Sequence, residues 1–350
     1  MQDRLHGVHV FTSFSYSYLL KSIVLAETLK RFNRSWKLWA IISDRKPAEL
    51  KHVDLGRYFD FVIHIEEWKV PLAWIFKHDV IELCTAVKGM ALRRLLQLGA
   101  EKVFYLDPDI AVLSNLSELE RELDQQNLLL TPHQLSPNWT PGAIQDNEIC
   151  SLKHGVYNLG FLGVANTPVG SAFARWWESR LQDYCYSDIP EGLFTDQRWC
   201  DLAPSFFDGV KIHKDPGCNV SGWNLSTRSL RQDSNGGLFV DGSPLKFYHF
   251  SKLGELGFLM TSRYAGNNIE PYALWYWYNS KIRDASEGLG IESEQAVEKY
   301  WYFSTFEDGS FIPKEARTLY RKRVDLQLHF KNPFAEPYRK WYVAQAGSST

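Results

Sequence analysis

The sequence is poor in cysteine, and its cysteines follow no disulfide or metal-binding pattern. Its 5 cysteines are scattered over 350 residues, and no Cys-x-x-Cys pair occurs among them. An odd number of separated thiols argues against both a disulfide framework and a structural zinc site. We therefore expect free thiols and a cytoplasmic location.

Long apolar runs and a surplus of one charge are missing as well. No stretch reaches the roughly 20 uncharged apolar residues that span a bilayer. The first residues, 1–6, are too polar for the apolar segment of a signal peptide. The 39 Lys and Arg residues nearly balance the 41 Asp and Glu residues, so we do not expect nucleic acid as a partner.

The sequence does contain enough apolar material for a large core. Hydrophobic residues make up 45% and charged residues 23%, which is typical of a folded globular chain. Aromatic residues reach 15%. Core packing accounts for most of this surplus, although flat rings also serve sugar-binding clefts as stacking surfaces.

The first half of the chain alternates short strand patterns with helical patterns. The strand patterns lie at residues 8–14, 37–44, 59–65 and 102–106, and the helical patterns at 19–29 and 78–98. Gly99 is a good C-terminal stop for the second helix. This alternation predicts a Rossmann-like α/β fold, with a mixed, mostly parallel sheet flanked by helices.

The second half is less regular. Strand patterns at 156–164 and 245–251, a helical pattern at 169–185 and a loop-rich section at 203–245 come first. Only helical patterns follow, at Ile269–Arg283, Glu292–Phe303 and Lys314–Tyr320. We predict an α/β domain at residues 1–257 and a mainly helical C-terminal extension at 258–350.

Two carboxylates, Asp107 and Asp109, directly follow the fourth strand pattern. Open α/β sheets bind ligands at the carboxyl ends of their strands, and carboxylate oxygens suit Mg²⁺ or Mn²⁺, which also hold substrate phosphates. One carboxylate of such a pair can bind the metal, and the other can contact a ribose or the same metal. Asp-Pro-Asp is also ordinary turn chemistry, but the apolar run 110–113 favours a site, because it pins the pair between buried segments.

With its neighbours this pair resembles the Asp-x-Asp motif of glycosyltransferases with the GT-A fold. The order of segments is similar to glycosyltransferase family 8, and a sister family of bacterial polysaccharide transferases fits equally well. The likeness covers residues 8–255. Five further segments in matching order carry it, namely Phe11–Tyr18, Leu83–Lys88, Tyr157–Phe161, Phe194–Gln197 and Phe247–Lys252.

The resemblance implies roles for individual residues. Asp107, Asp109 and His249 would hold Mn²⁺ or Mg²⁺, and Asp196 with Gln197 would act at the reacting sugar. A larger group would bind the nucleotide-sugar donor. These donor-binding residues are Thr12, Ser13, Tyr18, Asp44, Lys88, Asp107, Asn158, Gly160 and Lys252.

Several of these residues also have a purely structural interpretation. Asp196 can be a helix-start residue after Thr195, and His249 a hydrogen-bonded residue of the core. Lys88 can extend its ammonium from an apolar helix face to solvent. Gly160 can mark a bulge in a strand. The sequence leaves both interpretations open.

The activity implied is metal-dependent transfer of a sugar from a nucleotide diphosphate-sugar, with a UDP-sugar favoured, to an acceptor hydroxyl. Retention of configuration is favoured over inversion, and bacterial polysaccharide or glycan synthesis is the expected setting. The acceptor would be a glycan or a lipid-linked saccharide that meets residues 135–150 and 215–235. The basic tail, residues 314–340, would contact the inner face of an anionic membrane or form a solvated helix face.

Two other classes of protein are alternatives. A sugar-nucleotide nucleotidyltransferase should carry a Gly-rich loop after the first strand, yet residues 12–18 contain no glycine. A non-catalytic carbohydrate-binding module should have a broken acidic pair, and here the pair is intact. The ending Ala-Gly-Ser-Ser-Thr is typical of a fragment of a longer polypeptide.

Overall fold

A seven-stranded sheet forms the centre of the computed structural model, which describes residues 5–291 and 297–347. The strands of the chain are β1 (Val8–Phe14), β2 (Lys37–Ile42), β3 (Phe61–His64), β4 (Lys102–Leu106), β5 (Ile110–Val112), β6 (Leu128–Pro132), β7 (Tyr157–Ala165), β8 (Ser187–Asp188), β9 (Leu193–Phe194), β10 (Val210–Ile212), β11 (Leu230–Gln232), β12 (Leu238–Val240), β13 (Ser243–Pro244) and β14 (Phe247–His249). The central sheet has the order β10-β6-β7-β4-β1-β2-β3.

The central sheet is mixed and mostly parallel. Strand β1 runs parallel to β2 and β4, β2 is parallel to β3, and β10 is parallel to β6. Strand β7 is antiparallel to both of its neighbours, β4 and β6. Every residue of β7 is buried, as expected for a strand covered on both faces. The predicted α/β fold class is confirmed.

Helices cover both faces of the sheet. They are α1 (Leu19–Phe32), α2 (Leu72–Phe76), α3 (Val80–Leu98), α4 (Ser117–Glu122), α5 (Pro141–Ala143), α6 (Cys150–His154), α7 (Pro168–Tyr184), α8 (Ala203–Phe206), α9 (Glu255–Ala265), α10 (Glu270–Gly288), α11 (Lys314–Lys322), α12 (Val324–His329) and α13 (Glu336–Gly347). Alternate residues of β1 enter different cores: Val10 and Phe14 lie in the core that includes α1, and Phe11 in the core that includes α3.

Helix α3 is set by local signals at both ends. Asp79 accepts a hydrogen bond from the backbone N–H of Glu82, whose side chain accepts one from the N–H of Asp79. This reciprocal capping box satisfies N–H groups that the first turn leaves unpaired. The helix ends at Gly99, whose φ of 103° lies in the left-handed region. The predicted helix and its stop are confirmed.

The helices after residue 258 pack into both cores. Leu274 and Tyr278 of α10 join the core under α1, whereas Ala316, Tyr320 and Tyr338 join the core beside α3. The division at residue 258 stays a prediction.

Part of the helix predicted for 292–303 falls on residues 292–296, outside the described residues. Residues 297 and 298 are helical, and a 3-10 turn at Tyr302–Ser304 overlaps the predicted end at Phe303. None of the helices in the described ranges is long and apolar enough to cross a bilayer.

Candidate active site

A short two-stranded sheet brings the acidic pair and a histidine together. Asp107 and Asp109 lie in the turn between β4 and β5, and the N–H of Ile110 donates to the carbonyl of Asp107 at 3.0 Å. Strand β14 pairs antiparallel with β5, which places His249 opposite Ile110. The imidazole Nε2 is consequently 3.1 Å from Asp109 Oδ1 and 3.6 Å from Asp107 Oδ2.

Burial and mutual charge govern how this triad ionises. Burial disfavours the charged imidazole, but the carboxylates of Asp109 and Asp107 outweigh it and raise the pKa of His249. Burial likewise opposes ionisation of Asp109, but the adjacent imidazole lowers the pKa of that carboxyl overall. The triad is therefore a strongly polar centre in which the two carboxylates favour protonation of the imidazole.

The three side chains fit a divalent cation. Each offers one ligand atom, and these atoms lie within 4.8 Å of one another. Two carboxylate oxygens and one imidazole nitrogen suit Mn²⁺ in particular, since hard oxygen donors predominate. A metal ion would take the place of the Nε2 proton.

Lys88 of α3 lies beside this triad and bridges two acids. Its side chain is 3% exposed, and its Nζ is 2.9 Å from Asp196 Oδ2 and 3.3 Å from Asp107 Oδ1. The ammonium also donates to the carbonyl of Leu159 at 3.3 Å. Burial opposes the charge, but the two carboxylates raise the pKa of Lys88 well above its usual value. Its ammonium therefore points into the site, and the solvent-directed interpretation does not describe it.

Asp196 is held in the interior by unusual local backbone. It is 2% exposed, and burial raises the pKa of its carboxyl although Lys88 opposes the shift. The preceding Thr195 has a φ of 45°, an outlier for a β-branched residue, and its hydroxyl donates to Asp196 Oδ1 at 3.1 Å. The following 3-10 helix begins only at Arg198, so Asp196 does not start a helix.

Strand β7 contains Asn158 and Gly160 and is contacted by the side chain of Gln197. The side chain of Gln197 accepts from the N–H of Leu159 at 3.1 Å and donates to the carbonyl of His154 at 3.0 Å. Asn158 Oδ1 accepts from the N–H of Gly160 at 2.9 Å. A Cβ on Gly160 would lie 2.6 Å from the imidazole of His249, so the missing side chain makes room for that ring.

Tyr105 belongs to the site but was absent from the sequence-based candidates. Its hydroxyl donates to Asp107 Oδ1 at 2.5 Å, and its ring lies 3.9 Å from the ammonium of Lys88. The signal available was the period of two along a strand, which places residues 105 and 107 on one face. Ser13 contacts the Tyr105 hydroxyl at 3.3 Å and donates to the carbonyl of Cys84 at 2.7 Å.

Two predicted donor-binding residues, Thr12 and Asp44, are enclosed by the chain. The hydroxyl of Thr12 is buried without a hydrogen-bond partner among the described residues. The carboxyl of Asp44 accepts backbone N–H groups of Tyr16, Arg45 and Tyr302. Burial raises its pKa to about 7, although these N–H groups oppose the shift. No hydrogen bond or ion pair joins either residue to the triad within residues 5–291 and 297–347.

Tyr18 and Lys252 lie at the margin of the site. Tyr18 precedes α1 and is half-buried, with the ammonium of Lys21 4.1 Å from its ring centre. Lys252 follows the end of β14 and is exposed, with a φ of 52°. Within the described ranges its ammonium forms no ion pair with an acidic side chain, and the residue lies three positions after His249.

The basic tail is largely engaged within the chain. Arg317 is buried and donates to the backbone carbonyls of Phe76, His78 and Phe303. Arg321 pairs with Glu82 and Asp188. These cations hold the C-terminal helices against the rest of the protein.

Comparison with known proteins gives relatives in sequence and neighbours in structure. No protein-family model matches the chain. It is 26% identical over 320 residues to the uncharacterized protein YfnD of Bacillus subtilis, an alignment that covers 88% of this chain and 96% of that protein. It is 29% identical over 176 residues to the uncharacterized protein YfnF of the same organism, covering 49% and 57%.

Several structural neighbours are glycosyltransferases. The galactosyltransferase LgtC, solved with donor and acceptor sugar analogues, has a TM-score of 0.45 at 15% identity and covers 81% of this chain and 99% of its own. The glycosyltransferase GlyE of Streptococcus pneumoniae has a TM-score of 0.44 at 15% identity, and the match covers 88% of this chain and 67% of GlyE. Mouse xyloside xylosyltransferase 1 has a TM-score of 0.39 at 12% identity, and the match covers 70% of this chain and 98% of that protein.

Proposed function

We propose that this protein is a metal-dependent glycosyltransferase that moves a sugar from a nucleotide diphosphate-sugar to an acceptor hydroxyl. One observation carries the proposal: the buried Lys88–Asp196 pair adjoins the triad of Asp107, Asp109 and His249. A cation site for a diphosphate and a buried carboxylate for a reacting sugar thus lie side by side. Transfer from a nucleotide diphosphate-sugar can use both, the cation at the departing diphosphate and the carboxylate at the sugar.

The chemistry divides between the triad and the Lys88–Asp196 pair. A metal ion on Asp107, Asp109 and His249 would supply Lewis-acid stabilisation of the departing diphosphate. Lys88 holds Asp196 in place and favours its ionised form, against the effect of burial. Lys252, exposed near the end of β14, offers a second positive charge to a phosphate.

Retention of configuration is the better-supported stereochemistry. A general base for inversion must reach the acceptor hydroxyl directly. Both carboxyl oxygens of Asp196 already contact other groups, Lys88 Nζ at 2.9 Å and the Thr195 hydroxyl at 3.1 Å. This arrangement supports a role in orienting the sugar or stabilising positive charge on it.

The acceptor and the setting belong to the same proposal. We propose a glycan or lipid-linked saccharide acceptor at residues 135–150 and 215–235, and Trp139, 87% exposed there, offers a stacking surface. The Bacillus relatives support a bacterial setting, with polysaccharide synthesis at the inner face of the membrane. Because Arg317 and Arg321 are engaged internally, any contact of the tail with anionic lipid would use its remaining cations.

The first test is thermal unfolding with UDP, GDP, CDP and dTDP, each with Mn²⁺ and with EDTA. A ligand at a hundred times its dissociation constant adds about 2.7 kcal/mol of stability. We expect UDP with Mn²⁺ to raise the melting temperature and EDTA to abolish the rise. The absence of a shift with all four nucleotides would contradict a nucleotide donor.

A further inference from the structure

We infer that Asn219 is a positioning residue for His249: its side-chain oxygen accepts the Nδ1 proton of the imidazole and leaves the Nε2 lone pair facing Asp107 and Asp109. This role rests on the proposed function, because it requires that the triad hold a metal ion. It adds a residue that would not touch the metal itself. Asn219 is 1% exposed and lies in the loop between β10 and β11.

The orientation of the Asn219 amide is determined by its neighbours. Its Nδ2 donates to Thr131 Oγ1 at 2.8 Å and to the backbone carbonyl of Asn158 at 3.2 Å. A carbonyl oxygen can only accept, so turning the amide round would place two oxygens against each other. The oxygen Oδ1 is therefore the atom that lies 3.3 Å from His249 Nδ1.

An acceptor opposite Nδ1 selects one tautomer of the imidazole. The neutral ring carries a single N–H, and the acceptor at Asn219 draws it to Nδ1. The lone pair then lies on Nε2, the atom 3.1 Å from Asp109 and 3.6 Å from Asp107. Metal-bound histidines usually donate their second N–H to an oxygen in this way, which orients the ring.

The backbone at Asn219 suits this residue type. Its φ of 53° is in the left-handed region, which asparagine tolerates better than most residues. The next residue, Val220, accepts the N–H of His249 at 2.7 Å. Asn224 donates to the carbonyl of Asn219 at 3.0 Å. These hydrogen bonds hold Asn219 beside β14, next to the imidazole of His249.

The experiment compares Mn²⁺ binding by wild type, Asn219→Gly, His249→Ala and the double variant, with free Mn²⁺ measured by electron paramagnetic resonance. Glycine tolerates the left-handed backbone and removes the side chain that carries the amide. Asn33→Ala is the matched control, because Asn33 is also buried and its Oδ1 accepts the N–H of Leu116 at 2.9 Å. We expect Asn219→Gly to weaken Mn²⁺ binding about tenfold or more and Asn33→Ala to leave it unchanged.

The double variant tests whether Asn219 affects Mn²⁺ binding through the imidazole of His249. We expect Asn219→Gly to cause no further loss once His249 is alanine, and a further loss would overturn the inference. Wild-type affinity in Asn219→Gly would overturn it while leaving the proposed function standing. If the wild-type protein binds no Mn²⁺, both fail together.

Should circular dichroism show that Asn219→Gly is unfolded, Thr131→Val replaces it. Valine keeps the shape of Thr131 and removes the acceptor that holds the amide. We expect Mn²⁺ binding to weaken several-fold, and an unchanged affinity would overturn the inference.

Discussion

Two clusters of histidine and acidic side chains lie in the described part of the chain, and they differ in the source of their positive charge. In the triad, Asp107 and Asp109 face His249. In the second cluster, Asp215 lies close to His213 and Cys218 and pairs with the ammonium of Lys246. That ammonium also lies 3.0 Å from Glu118.

The balance of charge distinguishes the proposed metal site from the second cluster. Around the triad, Lys88 is shared between Asp107 and Asp196, and Asp109 has the imidazole of His249 as its partner instead of an ammonium. Around the second cluster, a buried lysine meets Asp215 and a half-exposed Glu118. Under the proposed function a divalent cation would balance the carboxylates of the triad, whereas in the second cluster Lys246 already pairs with Asp215.

The largest effect should come from Asp109→Asn. Losing one carboxylate ligand removes the charge that holds the metal, and we expect donor turnover to fall at least about a hundredfold, since a metal supplies several kcal/mol of transition-state stabilisation. Donor hydrolysis and Mn²⁺ binding would be measured alongside circular dichroism. Asp215→Asn is the matched control and should keep Mn²⁺ affinity; equal losses in both variants would erase the distinction between the clusters.

A smaller effect, on stability alone, is expected for Lys246→Met. The side chains of Lys246 and Asp215 are 6% and 13% exposed, and leaving such a carboxylate unpaired should lower the free energy of unfolding by about 3 kcal/mol. Urea unfolding measures this, with the exposed Lys331→Met as control. Mn²⁺ affinity should not change. A large loss of Mn²⁺ binding would show that the second cluster is part of the metal site.

The smallest effect is a dependence of Mn²⁺ affinity on pH. The carboxylates around His249 raise its pKa above the usual 6.5 against the effect of burial, whereas burial lowers the pKa of His213. Mn²⁺ must displace the Nε2 proton, so affinity should fall as pH decreases through the raised pKa, by at most about tenfold per pH unit. His249→Ala should remove this dependence, and a slope that survives in that variant would assign it to another group.

The raised pKa of His249 also determines how the stability of the metal-free protein depends on pH. A histidine whose pKa is raised by folding stabilises the folded state fully below its unfolded pKa, and that contribution is lost as pH rises through the folded value. In EDTA the His249–Asp109 pair should therefore add most stability in mild acid.

Much of the fold could be predicted from local patterns. Helix α3 has its capping box at Asp79 and Glu82 and its stop at Gly99, all within one segment. The acidic pair follows an apolar strand, and the sheet places the end of that strand where ligands bind. Such features depend on neighbours in sequence, so periodicity and capping residues reveal them.

The surroundings of individual side chains could not be predicted in this way. Thr12 lies within β1 and Asp44 shortly after β2, and the chain encloses both. The carboxyl of Asp44 accepts the N–H of Tyr302, 258 residues away. The basic tail suggested a membrane surface, but Arg317 lies among backbone carbonyls. Periodicity does not report which distant segment covers a side chain.

The sequence by itself determined the alternation of strands and helices, the strand-end position of Asp107 and Asp109, and the types of residue available for the site. Only the tertiary structure decided that Lys88 reaches Asp196, that His249 meets Asp109, and that Asn219 stands behind the imidazole. These contacts join residues 30 to 140 positions apart. Their geometry follows from the pairing of β5 with β14 and the packing of α3 on the sheet, which no local pattern encodes.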